Sequence, residues 1–97
     1  MLEKDITVAI LRYLRGLPEC FCWKEHGGPY STAGIPDIIC CYRGRFLGLE
    51  VKQLGGKLTK LQKVTLERIR AAGGSAHMVT SVAEVRDIIQ QLEEELT

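Results

Sequence analysis

At 97 residues, the chain makes one domain spanning 1–97, with a core near the lower limit for independent stability. Its hydrophobic fraction of 45% and charged fraction of 26% are ordinary for a water-soluble globular domain. They exclude a chain built to cross a bilayer, because no apolar run approaches the ~20 residues such a helix needs. The N-terminus carries no signal-peptide hydrophobic region, so a cytoplasmic setting is expected. A net charge of only +1 argues for no particular partner, and so small a core favours burying surface in a homodimer.

In chain order, residues 2–15 read as a helix, with Leu2, Ile6, Ile10, Tyr13, Leu14 and Leu17 at helical spacing. Gly16 and Pro18 end it. Residues 19–25 read as a strand with Phe21 and Trp23 on one face and Cys20 and Cys22 on the other. A loop rich in Gly, Pro, Ser and Thr covers 26–36. Two strands, 37–42 and 45–52, flank Arg43-Gly44, a hairpin signal. Thr59-x-x-Gln62 opens a helix that closes on Gly73-Gly74, and residues 75–80 form a fourth strand. Ser81-x-x-Glu84 caps a last helix with an apolar stripe of Val82, Val85, Ile88, Ile89, Leu92 and Leu96. The order α-β-β-β-α-β-α defines an α/β domain with a mixed four-stranded sheet, its third and fourth strands parallel across a right-handed connection.

The four cysteines, Cys20, Cys22, Cys40 and Cys41, include no C-x-x-C. They are expected to be reduced, buried packing residues with no zinc. Charge is uneven: Arg43, Arg45, Lys52, Lys57, Lys60, Lys63, Arg68 and Arg70 face only Glu50 and Glu67 in the middle of the chain. Glu84, Asp87, Glu93, Glu94 and Glu95 make the C-terminal stretch acidic, with Arg86 alone opposing them. A basic middle is consistent with a polyanion-binding face, and equally with a solvated mixed-charge surface.

The chemistry sits in the hairpin. With Arg43 and Gly44 as the turn, Tyr42 pairs with Arg45, and the same register brings Asp37 opposite Glu50. Opposed residues hold their Cβ atoms roughly 4.5–5.5 Å apart, where like charges repel. Two carboxylates that close need a proton or a cation between them. Lys52 lies two residues beyond Glu50 and shares its face. Mg²⁺ or Mn²⁺ takes one or two carboxylates and keeps several waters. Such an ion polarises a phosphoryl oxygen, and a neighbouring lysine orients the attacking water or steadies developing charge.

Pro36-Asp37, followed after twelve residues by Glu50-Val51-Lys52, resembles the PD-(D/E)XK nuclease signature. Gly34-x-Pro36-Asp37, the run Gly48-Leu49-Glu50-Val51-Lys52 and Gly56-Lys57-Leu58-Thr59-x-x-Gln62 are similar to the VRR-NUC family within it. The likeness covers nearly the whole chain and implies the restriction-endonuclease-like α-β-β-β-α-β core. It implies a Mg²⁺- or Mn²⁺-dependent deoxyribonuclease of the stand-alone viral or bacterial type, in a prokaryotic cytoplasm or a phage-infected cell. The activity implied is structure-selective endonucleolytic cutting of branched DNA such as Holliday junctions, as in DNA repair. A non-catalytic DNA-binding or assembly subunit retaining the fold is the alternative.

Residue by residue, the resemblance implies that Asp37, Glu50 and the Val51 carbonyl bind the metal and that Lys52 is the catalytic lysine. Gln62 would touch the site from its helix, where a capping role competes. Glu3 would reach the metal from the first helix, and the alternative for it is a first-turn acid favoured by the helix dipole. DNA contacts are expected from Lys57 and Lys60 at a helix N-terminus, from Ser31 in the loop, and from Arg43 and Arg45 at the hairpin tip. His26 and His77 are expected to be bystanders.

Overall fold

A computed structural model describes residues 1–27 and 33–97. The elements follow the expected order: α1 (Glu3–Arg15), β1 (Cys20–Lys24), β2 (Ile38–Tyr42), β3 (Arg45–Val51), α2 (Lys60–Ala71), β4 (Ser75–Val79) and α3 (Val82–Leu96). The strands form one mixed sheet in the order β1-β2-β3-β4. β1, β2 and β3 are antiparallel neighbours, and β4 joins β3 in parallel. That parallel pair requires the crossover that α2 supplies.

Alternation along β3 divides the molecule into layers. Leu47, Leu49 and Val51 enter a core with Ile6, Ile10 and Leu14 of α1 and Val85, Ile89 and Leu92 of α3. Gly48 faces the other way, against Ile69 of α2 and Pro36. The sheet is therefore sandwiched, with α1 and α3 on one face and α2 on the other. Helices α2 and α3 start at the caps their sequences provide, whereas α1 starts after Leu2 with no side-chain cap. Thr59 and Gln62 form a reciprocal capping box at α2, and the Ser81 hydroxyl accepts the Glu84 N–H at α3.

Arg43 and Gly44 make the two-residue β2–β3 turn, with φ of 49° and 83°, the left-handed pair that suits a type I′ hairpin. Tyr42 pairs with Arg45 and Ile38 with Leu49, the register anticipated from the turn. Both strands stop one residue short of expectation, leaving Asp37 and Lys52 just beyond their ends. Lys52 nevertheless continues the ladder by donating its N–H to the Val79 carbonyl at 3.0 Å.

All four cysteines are free. Cys22 and Cys40 are buried and Cys20 is half-buried, but Cys41 is exposed, which corrects the expectation of four packing thiols. The reason is the pleat: Cys40 turns into the core, so its neighbour must face out beside Phe21. Phe21 and Trp23 share that outward face, with ring centroids 5.7 Å apart.

Candidate active site

The residues at the open end of the β2–β3 hairpin are held by close backbone packing. Gly34 sits at φ 81°, and a Cβ there would lie 2.7 Å from the Thr65 hydroxyl and 2.9 Å from Leu61. Only a glycine lets this segment lie against α2. Pro36 is buried, and a Cβ on Gly48 would come within 3.0 Å of its ring. The two motif glycines thus let the chain enter β2 flush against both α2 and β3. That fixes where Asp37 begins.

Asp37 is half-buried, and its Oδ2 accepts the Val51 N–H at 2.9 Å. Glu50, on the adjoining strand, is only 3% exposed, and Asp37 lies within hydrogen-bonding reach of its carboxyl. Burial pushes the Glu50 carboxyl up to about 8, helped by the hydrogen bond and charge of Asp37 and opposed by Lys52. Glu3 adds a smaller repulsion from α1. Four of the side chains singled out from the sequence, Glu3, Asp37, Glu50 and Lys52, therefore lie at one end of the sheet, where burial and the neighbouring acids favour the protonated form of Glu50.

Two clefts meet at Asp37. One, of about 160 Å³, is lined by Glu3, Lys4, Thr7, Lys24 and Asp37. The other, of about 180 Å³, is lined by Glu25, His26, Gly27, Ala33, Gly34, Ile35 and Asp37. Lys4 and Lys24 were not anticipated as site residues. The pairing of Lys24 with Ile38, one residue from Asp37, was the signal that could have found Lys24.

The remaining expected residues are placed as follows. Val51 is buried at the strand end, and its N–H donates to Asp37. The Gln62 side-chain oxygen accepts the Thr59 N–H at 2.9 Å, so the capping role is realised. Lys57 and Lys60 are exposed, one before α2 and one in its first turn. Ser31 lies outside the described residues. Arg43 and Arg45 are at the far end of the hairpin, bound by ion pairs to α3. Arg43 reaches Glu93 at 2.9 Å and Arg45 reaches Glu95 at 3.1 Å. The basic middle and the acidic tail thus meet each other, because α3 returns along the sheet to the hairpin turn.

Whether this donor set suits a divalent cation follows from its chemistry. Among the described residues no group of three His, Cys, Asp or Glu side chains is arranged to hold a metal. Two neighbouring carboxyls, with open clefts at Asp37, do fit an ion that takes one or two carboxylates and completes its shell with water and substrate oxygens. Asp37 and Glu50 are the residues that would hold it, with Glu3 further out.

The α/β sandwich has the fold of VRR-NUC domains. A solved structure described as a VRR_NUC domain matches with a TM-score of 0.75 and 24% identity, covering 91% of this chain and 94% of the other. A second, described as a VRR_NUC domain protein, matches at 0.72 and 19% identity, covering 94% of this chain and 87% of that one. Comparison of the sequence with family models and with curated proteins gave no match. No helix among the described residues is long and apolar enough to cross a membrane.

Proposed function

We propose that the chain is a divalent-metal-dependent deoxyribonuclease that hydrolyses phosphodiester bonds in the clefts at Asp37. The observation that carries this reading is the pairing of Asp37 and Glu50. The fold presses two carboxyls together in a half-dry corner, at an electrostatic cost that packing alone does not require. A lysine stands beside them.

In this reading Asp37 and Glu50 hold Mg²⁺ or Mn²⁺, which when bound supplies Lewis acidity toward the scissile phosphate. The Asp37 carboxylate is kept in position by the Val51 N–H. Lys52 orients the attacking water and steadies negative charge as it gathers on the phosphoryl oxygens. Lys4, Lys24, Lys57 and Lys60 hold the flanking phosphates. Gln62 fixes the start of α2 through its cap. The substrate is branched DNA such as a four-way junction, cut endonucleolytically by a homodimer that sets two sites on two strands.

Cleavage of flap, four-way-junction and linear DNA in Mg²⁺ or Mn²⁺ tests this. Nicking of the branched substrates, abolished by EDTA, by Asp37→Ala and by Lys52→Ala, is expected. No product from any substrate, or equal product from the Asp37→Ala variant, overturns it. Sedimentation of the free protein as a monomer at assay concentrations removes the dimer.

A further inference from the structure

Three thiols cluster on the core-facing side of the β1–β2 ladder, away from the outward face that carries Cys41. Cys22 stands directly opposite Cys40. The ladder's hydrogen bonds identify the kind of pair this is. Arg43 N–H donates to Glu19 at 2.9 Å, and Glu25 N–H donates to Asp37 at 2.7 Å. Counting inward by alternation from either end makes Cys22 and Cys40 a non-hydrogen-bonded pair, with Cα atoms about 4.5 Å apart. That lies within the roughly 4.4–6.8 Å a disulfide spans. Cys20 is diagonal to Cys40, and their sulfurs lie 3.4 Å apart. Diagonal Cα separations are about 7–8 Å, beyond the usual disulfide range, so a Cys20–Cys40 bond needs the backbone to shift and is a strained, transient one. Cys20 is also the half-exposed member, while the other two are buried.

We propose that Cys20, Cys22 and Cys40 form an oxidisable relay in which Cys20 captures a low-molecular-weight disulfide and the oxidation comes to rest as a Cys22–Cys40 cross-strand disulfide. In the first step the Cys20 thiol attacks oxidised glutathione, and one glutathione leaves carrying the Cys20 proton. Cys40 then attacks the Cys20 sulfur, and the second glutathione leaves with the Cys40 proton. Finally Cys22 attacks the Cys40 sulfur and returns its proton to Cys20. The net change is two thiols oxidised and one oxidised glutathione reduced to two glutathiones. Burial holds the Cys22 and Cys40 thiols in their protonated forms, so direct attack on a dissolved oxidant is disfavoured and the half-exposed thiol is the entry. The Arg15 side chain lies against Cys22 and favours the thiolate that makes the last exchange.

The test uses the full-length folded chain with Cys41→Ser, which removes the one exposed thiol. After native oxidation with oxidised glutathione, acid quench and alkylation in denaturant, two thiols should be protected and two hydrogens lost. Fragmentation between Cys20 and Cys22 should assign the link to Cys22 and Cys40. Adding Cys20→Ser should slow formation of that link roughly tenfold or more. Cys22→Ser should stop the oxidation at a Cys20–Cys40 bond or a Cys20 adduct. A glutathione adduct confined to Cys20 in the three-thiol protein, a lasting Cys20–Cys40 bond there, or an unchanged rate in the Cys20→Ser variant overturns the relay.

Discussion

The two ends of the β2–β3 hairpin are built on opposite electrostatic principles. At the turn, Arg43 and Arg45 meet Glu93 and Glu95 across α3, and the Tyr42 hydroxyl donates to Glu93. Every charge there has an opposite partner. At the open end, Asp37 and Glu3 both add repulsion at the Glu50 carboxyl, which Lys52 only partly offsets, and Glu50 is almost wholly buried. One end uses charge to close the fold, whereas the other retains a repulsion that the fold would relieve if it could. A structure tolerates such an arrangement where a ligand completes it, which is why the open end is read as the site and the turn as scaffold.

The largest expected effect falls on cleavage. Asp37→Asn or Glu50→Gln should lower the rate by roughly 10³-fold, and Lys52→Ala by roughly 10²-fold or more, measured on junction DNA in Mn²⁺. Glu93→Gln, at the other end of the same strands, should leave the rate within a few-fold. A turn-end variant as inactive as a site variant would break the contrast.

Metal-free stability should separate the ends by pH. The Glu50 carboxyl lies at about 8 in the fold against an ordinary 4.5, so between those values the folded protein binds more protons than the unfolded chain. Its contribution is full below the unfolded value and lost as pH rises toward 8. The Tm in EDTA should fall between pH 5 and 8.5, and Glu50→Gln should flatten that fall. The Glu93 carboxyl is held below its ordinary range by hydrogen bonds from Tyr42 and Arg43. Its contribution is present above the unfolded value and lost as pH drops through the folded one, so Glu93→Gln should flatten the acid limb instead. A Glu50→Gln curve parallel to wild type contradicts this.

Gly34→Ala should cost about 1–3 kcal/mol in denaturant unfolding, since the added methyl meets both Thr65 and Leu61. It should lower cleavage as well by shifting Asp37. The smallest effect belongs to Lys57→Ala, expected to flatten the salt dependence of DNA binding by about one phosphate contact.

Much of this was legible in the sequence because it is local. Alternation, caps at Thr59 and Ser81, and a two-residue turn at Arg43-Gly44 are short-range signals, and the turn alone set the register that opposes Asp37 to Glu50. What stayed hidden depends on distant packing. Nothing near Arg43 announces Glu93, fifty residues away, so the hairpin-tip arginines read as free cations. Lys4 and Lys24 reach the cleft only because α1 and β1 both end there. The exposure of Cys41 follows from which strand face α1 covers, and its dipeptide with Cys40 is silent on that choice.

Titrating Mn²⁺ into the protein by calorimetry, in two buffers of different ionisation enthalpy near pH 7, addresses the acidic pair most directly. Wild type should bind the ion and release about one proton per site as the Glu50 carboxyl, raised to about 8 in the metal-free fold, gives up its proton, while Asp37→Asn and Glu50→Gln should lose the binding and Glu93→Gln should keep it. Binding of equal strength in wild type and Asp37→Asn, with no proton released from either, contradicts the central claim.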